Sequence, residues 1–252
     1  MAGASPLRLG LIGIGGRMGR ELAAMAEVDP SVIVSGGIGR ANVADLPALI
    51  HDCDVLIDFS TPASSAAAAS AAARAGRPIV TGTTGLDTDQ LAVLRSASEH
   101  VPVWYARNMS TGVSLLRRLL PEIARALAGY DIEVIEAHHR HKADAPSGTA
   151  LMLAEAIIAG LDDVGEAGGD KLRDPARLVC GREGHAPRQA GEIGIHAIRG
   201  GGNSGEHTIL FASDEEEIRI SHRAYSRRAF AAGAIQAAKA IHGQPPGWYG
   251  AG

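Results

Sequence analysis

The chain has 252 residues, 46% hydrophobic and 21% charged, a mixture that fits a soluble globular protein and excludes a disordered one. No apolar run reaches the about 18 residues of a membrane span, and two cysteines cannot build a disulfide scaffold or a four-ligand zinc site. A net charge of -4 and 4% aromatic residues offer nucleic acid neither an electrostatic footprint nor a stacking platform. Glycine is the unusual count, at 32 residues. The start of the chain lacks the pattern of a secretory signal, so a cytoplasmic, glycine-rich α/β protein is expected.

The elements alternate over the first hundred residues. Leu7 to Ile12 reads as a strand, followed by a glycine loop and a helix from Arg17 to Glu27, where Met18, Leu22 and Met25 recur at helical spacing. Val32 to Val34 is a weak second strand. Asp54 to Phe59 is a third, apolar at its centre as a buried parallel strand requires. Thr61, Pro62 and Gly76 carry the start and stop signals of an alanine-rich helix. Pro78 to Thr81 is a strand, Thr88 is expected to cap a helix through Glu99, and Pro102 to Ala106 is a fifth strand. Such βα repetition predicts a parallel sheet with right-handed crossovers.

The pattern changes after residue 110. A helix over Gly112 to Leu127, a strand over Ile132 to His138 and a helix over Ser147 to Ala159 precede a polar, glycine-rich stretch to about Arg177. Three strands then follow without intervening helices: Ile193 to Arg199, Glu206 to Ala212 and Glu217 to His222. A last helix runs from Arg228 to Ile241. Runs of strands after a βα section predict a second, α+β domain with a mixed sheet.

Gly13, Ile14, Gly15, Gly16, Arg17 and Met18 link the first strand to the first helix. Glycines there let a diphosphate approach the backbone, and the helix N-terminus supplies free N–H groups. Met18 stands where the strict dinucleotide fingerprint has its third glycine, and the same residues could form a plain tight turn. The second strand ends without an acid to bind a ribose 2′-hydroxyl but with Arg40, which favours the 2′-phosphate of NADPH over NADH. Gly82, Thr83 and Thr84, and Ala106, Arg107, Asn108 and Met109, follow later strands on the same side of the sheet, where short polar groups suit a nicotinamide and its ribose. Asp58-Phe59-Ser60 ends the third strand on that side.

The most informative stretch is Glu136 to Ala150, EAHHRHKADAPSGTA. It gathers His138, His139, Arg140, His141 and Lys142 before Ser147, which caps a helix whose Gly148 and Thr149 can offer N–H groups to an anion. Cations beside a helix N-terminus make a receptor for carboxylates. A metal site, a solvated basic loop and a non-catalytic anion site are the competing readings; the histidines, with no cysteine nearby, have poor spacing for a metal.

That stretch, with GIGGRMG, DFSTP, TGTTG, ARNMSTGV, GEIGIHAIRGG, GEHTILFA, ISHRAYSRRAFAAGA and PPGWY, resembles the 4-hydroxy-tetrahydrodipicolinate reductase (dihydrodipicolinate reductase) family of lysine and diaminopimelate biosynthesis. The resemblance covers nearly the whole chain. It implies a Rossmann-like domain over 1–109, a substrate-binding and oligomerisation domain with an open mixed sheet over 110–227, and a C-terminal helix and tail over 228–252 returning to the first domain. It implies a homotetramer, an NADPH or NADH cofactor, no metal, and a small cyclic dicarboxylate substrate reduced with loss of water. It places the catalytic histidine on His138, the catalytic lysine on Lys142, substrate carboxylate contacts on His139, Gly148 and Thr149, and the diphosphate loop on Gly13 to Met18. From the residues themselves, the helix end at Ser147 is expected to share in holding the carboxylate. Ile14, Gly39 and Tyr225 depart from the family pattern. Two alternatives stand beside this reading: an NADP-binding redox sensor, which has no use for His138 with Lys142, and a reductase of another cyclic imine. An aldehyde dehydrogenase would need an activated cysteine, and neither Cys53 nor Cys180 sits beside an activating motif.

Overall fold

The computed structural model describes residues 5–167 and 177–250. In chain order the elements are β1 (Leu7–Ile12), α1 (Arg17–Ala26), β2 (Val32–Ile38), a 3-10 turn (Val43–Asp45), α2 (Leu46–Asp52), β3 (Val55–Asp58), α3 (Pro62–Ala75), β4 (Ile79–Thr81), α4 (Thr88–Ser98) and β5 (Pro102–Tyr105). There follow α5 (Thr111–Ala126), β6 (Asp131–His138), α6 (Gly148–Ala167), β7 (Arg177–Cys180), β8 (Glu192–Arg199), β9 (Glu206–Ala212), β10 (Glu217–Arg223), α7 (Arg228–Ile241) and β11 (Gly247–Tyr249). They fall into two compact units. One joins the chain up to Thr111 with the chain from Arg227 onward; the other is Gly112–Ser226.

The first unit is built on a six-stranded sheet in the order β11-β5-β4-β3-β1-β2, parallel throughout. Side chains alternate across it. Leu9, Leu11, Val55, Ile57 and Val80 meet Leu22 of α1 and Ala231, Ala234, Ile235 and Ala238 of α7 on one face. Leu56, Ile79 and Val103 meet Leu49, Ala68, Ala69, Ala72, Leu94 and Ala97 of α2, α3 and α4 on the other. This is the expected doubly wound sheet, and its strand order reverses between β1 and β3, where ligands bind in such folds.

The second unit has a five-stranded sheet in the order β10-β9-β6-β8-β7. β6 and β7 run parallel to β8, while β9 is antiparallel to β6 and β10, so the sheet is mixed as expected. Ile132, Val134, Ile193, Ile195, Ile209 and Phe211 bury one face against Val113 and Leu120 of α5 and Leu153 and Ile157 of α6.

Several local expectations are corrected. Asp87, not Thr88, caps α4: its carboxylate accepts from the Gln90 N–H while the Gln90 side chain accepts from the Asp87 N–H. A carboxylate three residues before Gln90 completes this reciprocal pair, whereas Thr88 lies one residue too late. β2 runs on to Ile38 because Gly36 and Gly37 continue to pair with β1. α6 continues past Ala159. α2, β7 and the edge strand β11 were not anticipated; each is short, and β11 is held by pairing with β5 rather than by any strong pattern of its own. Part of the glycine-rich stretch before Arg177 lies outside the described residues. No helix among the described residues is long and apolar enough to cross a membrane.

Candidate active site

At the switch point of the first unit lies a cleft of about 620 Å³ lined by Gly13, Gly15, Gly16, Gly39 and Arg40 on one side and Phe59, Ser60, Thr61 and Ser64 on the other. Its geometry follows from the glycines. Gly13 adopts φ +86, and a Cβ there would lie 2.5 Å from the Phe59 carbonyl. Gly16 is the N-cap of α1. Gly19 lets α1 rest on the turn: its Cβ would sit 2.4 Å from the Gly13 carbonyl and 2.5 Å from Ile14 Cα. The working glycines are therefore Gly13, Gly16 and Gly19, three residues apart, which explains why Met18 need not be glycine. The Met18 side chain packs against the α1 and α7 core, and Arg17 is exposed. The Ile14 N–H donates to the Ile38 carbonyl at 3.1 Å, so Ile14 joins β1 to the end of β2.

The cleft suits a dinucleotide. Neither Gly15 nor Gly39 has any atom within 4 Å of where a Cβ would stand, so the backbone there is open. Arg40 supplies a cation at the end of β2, and Val43 and Leu46 supply an apolar wall that the sequence reading missed. The later strand ends lie along the same carboxyl edge. Thr83 is buried and donates its hydroxyl to Asp58 at 2.8 Å. Asp58 also accepts from Ser60 Oγ at 2.5 Å, and burial pushes its carboxyl up against these hydrogen bonds. The ends of β3 and β4 are thereby tied together. Gly82 packs against the Phe59 ring, and Thr84 is exposed. Ala106 and Met109 are buried in the core, Arg107 is exposed, and Asn108 accepts from the Ser110 N–H at 2.8 Å.

The second unit gathers the titratable stretch. In a strand, residues two apart share a face. Ile132 and Val134 are followed on their face by Glu136 and His138, so the helix-covered face of the sheet turns polar at the end of β6. His207 on β9 pairs in register with Glu136, and Arg199 on β8 with His138. Glu136 is fully buried. Its Oε2 accepts from His138 Nδ1 at 2.5 Å and Arg199 Nη1 at 2.8 Å; its Oε1 accepts from Arg199 Nη2 at 2.7 Å and the Ser147 N–H at 2.9 Å. Burial alone would raise the Glu136 carboxyl, but Arg199 and His138 outweigh it and hold the group below its ordinary value. Burial lowers His138 despite Glu136. His207, 2% exposed, is pushed down to about 3 by burial and by His138, His222 and Lys142, against the opposing pull of Glu136.

Ser147 caps α6, accepting from the Ala150 N–H at 3.1 Å and lying 3.2 Å from His207 Nε2. Its N–H and hydroxyl are both engaged inside the protein, so Ser147 builds the helix end rather than presenting a donor outward. Lys142 Nζ donates to both Asp144 oxygens, at 2.7 and 2.9 Å. Burial would raise the Asp144 carboxyl, but the Lys142 ammonium outweighs it and holds the group below its ordinary value. His139 is part-buried, its N–H bonded to the Asn203 carbonyl at 2.8 Å, with its ring 6.2 Å from that of His141. Thr149 is buried. Glu136, Arg199 and His207 were missed as site residues; for Glu136 the signal was its place two residues before His138 on a strand. Among the described residues no cluster of His, Cys, Asp and Glu could hold a metal.

A glycine-lined cleft at the switch point of one unit and a titratable, cationic cluster beside a helix N-terminus in the other are the arrangement of a nicotinamide-dependent oxidoreductase. The family comparisons give the particular kind. The N-terminal dihydrodipicolinate reductase model matches residues 7–109, and the C-terminal one matches 112–251. The 4-hydroxy-tetrahydrodipicolinate reductase of Thermomicrobium roseum is 47% identical, with 96% of this chain and 97% of that protein covered. That of Psychrobacter arcticus is 44% identical, covering 96% and 92%. A dipicolinate-bound dihydrodipicolinate reductase from Paenisporosarcina sp. TG-14 shares the fold, with a TM-score of 0.75 at 21% identity over 97% of each chain. The chain belongs to the 4-hydroxy-tetrahydrodipicolinate reductase family and is an NAD(P)H-dependent oxidoreductase of lysine and diaminopimelate biosynthesis.

Proposed function

We propose that this enzyme reduces 4-hydroxy-tetrahydrodipicolinate with NADPH in preference to NADH, that His138 and Lys142 carry the proton and charge chemistry, and that His139, Gly148 and Thr149 receive a substrate carboxylate. The observation that carries the reading is the seat already taken by the Asp144 carboxylate, both of whose oxygens accept from Lys142 Nζ. A carboxylate of the substrate makes the same contacts by displacing it. Arg40 beside the cleft, with no acid at the end of β2, supports the preference for a 2′-phosphate.

A reduced nicotinamide bound in the cleft would supply the hydride. The ring hydroxyl leaves as water with a proton of the neighbouring carbon, the resulting double bond conjugated to the ring imine accepts the hydride at the former hydroxyl carbon, and one proton is taken up at the neighbouring carbon. Negative charge gathers on the ring as the new C–H bond forms. The Lys142 ammonium offsets that charge, where fixed donors act most strongly on the transition state. His138 moves a proton at the neighbouring ring carbon through Nε2, since Nδ1 is bonded to Glu136. Ser147 stands behind as the cap that keeps the α6 N–H groups pointing outward.

The enzyme acts in the cytoplasm as a homotetramer, with the sheet face opposite α5 and α6 as the contact; that face carries part-buried Ile135 and Leu210 and exposed Ile198. Sedimentation should give four times the 26.0 kDa chain mass. Titrating dipicolinate, the ligand of the Paenisporosarcina protein, tests the site. Lys142→Ala is expected to bind it at least about tenfold more weakly, as loss of a charge-assisted pair implies. Unchanged affinity would take Lys142 out of the receptor.

A further inference from the structure

We propose that Glu136 is the positioning residue of the proton-transfer site: it holds the His138 ring with Nδ1 protonated and turned inward, leaving Nε2 as the nitrogen that exchanges a proton with substrate. This rests on the reading of His138 as the acid–base group and adds how that group is set. The carboxylate is fully buried, and each of its oxygens accepts two hydrogen bonds. The Arg199 fork keeps it ionised, and an ionised carboxylate can only accept. His138 Nδ1 must therefore be the donor, and a neutral ring with its hydrogen on Nδ1 has its lone pair on Nε2. The opposite edge of the ring is kept clear by Gly205, at φ +142, where a Cβ would come within 3.1 Å of Nε2.

The same carboxylate accepts from the Ser147 N–H, so one buried group registers both the imidazole and the start of α6. Its neighbours leave it this task alone. From β9, His207 meets His138 edge-on at 5.2 Å between ring centres. From β8 comes the Arg199 cation, which is already committed to Glu136 and to the Asp144 carbonyl at 2.6 Å. From the following loop Lys142 lowers the affinity of His138 for a proton, while Glu136 raises it. Removing the Glu136 charge takes away the only anion that favours the imidazolium among these facing groups.

The test uses the full-length enzyme. Glu136→Gln keeps the shape and removes the charge. It should lower kcat at least about tenfold, as loss of an orienting carboxylate commonly does, with NADPH affinity unchanged, and should move the His138 limb of the pH–rate profile to lower pH. Glu136→Asp keeps the pair with Arg199 but draws back from Nδ1, and should shift the limb in the same direction by less. A uniform loss of rate with the limb unmoved, in variants that still bind NADPH, would overturn the proposal. Should both variants fail to fold, 15N spectra of the unmodified enzyme decide, the His138 resonances being assigned by difference from His138→Gln. Protonated Nδ1 in the neutral ring is expected; protonated Nε2 would refute it. Wild-type activity in His138→Gln would instead remove the acid–base reading itself.

Discussion

His207 should make the enzyme lose stability as the pH falls below neutral, well before its carboxylates titrate. The ring is 2% exposed and faces His138 and Lys142, so its folded pKa is depressed to about 3 from an ordinary 6.5. The sign follows from proton counting. Between these values the unfolded chain binds a proton and the native chain does not, so stability is fully present above 6.5 and is lost progressively as the pH drops toward 3. At pH 5 the loss is about 2 kcal/mol, since each unit of mismatch is worth about 1.4 kcal/mol and about one and a half units have been crossed. His207→Gln keeps a polar partner for Ser147 but cannot titrate. Urea unfolding of both proteins followed by circular dichroism at pH 7 and pH 5 isolates the effect, because all other groups are common to both. The variant should be the less stable at pH 7, by about 1 kcal/mol. Its deficit should close or reverse by pH 5. A deficit that stays constant across this range would refute the reasoning.

Lys142→Ala should lower kcat by about 100-fold or more if the ammonium stabilises charge in the transition state; a normal steady-state kcat would leave it a binding residue only. Arg40→Ala should weaken NADPH binding by about tenfold, the scale of a lost charge-assisted contact, and leave NADH binding unchanged in a fluorescence titration. Asp144→Asn should tighten dipicolinate binding severalfold, because the internal carboxylate no longer competes for Lys142; weaker binding in calorimetry would show that Asp144 helps to build the site instead.

Both sheets were legible because their strands carry strong patterns: apolar runs such as Val55 to Ile57 for the buried parallel sheet, and alternation along β6 and β9 for the mixed one. Thr61, Pro62 and Gly76 marked α3 because caps act through local hydrogen bonds. Long-range determinants were harder to read. β11 depends on pairing with β5 across more than half the chain, and α2 is too short for periodicity to register. The glycine loop misled because a strict template asks for glycine at Met18, whereas α1 meets the turn at Gly19. In the second unit the chemistry-bearing run from His138 to Lys142 was plain, but its support was not. Arg199 and His207 reach Glu136 only through the register of β8 and β9 against β6, which no local pattern encodes.

The central claim, a reductase of a cyclic dicarboxylate whose chemistry runs through His138 and Lys142, is tested most directly by a coupled assay. Pyruvate and aspartate semialdehyde, with the synthase that joins them, generate the unstable substrate in place, and nicotinamide absorbance is followed for the enzyme, His138→Gln and Lys142→Ala. The expected result is oxidation of NADPH, faster than of NADH, that depends on the enzyme and collapses in both variants. Folded enzyme that binds NADPH but consumes none, or variants as fast as the unmodified protein, would contradict the account.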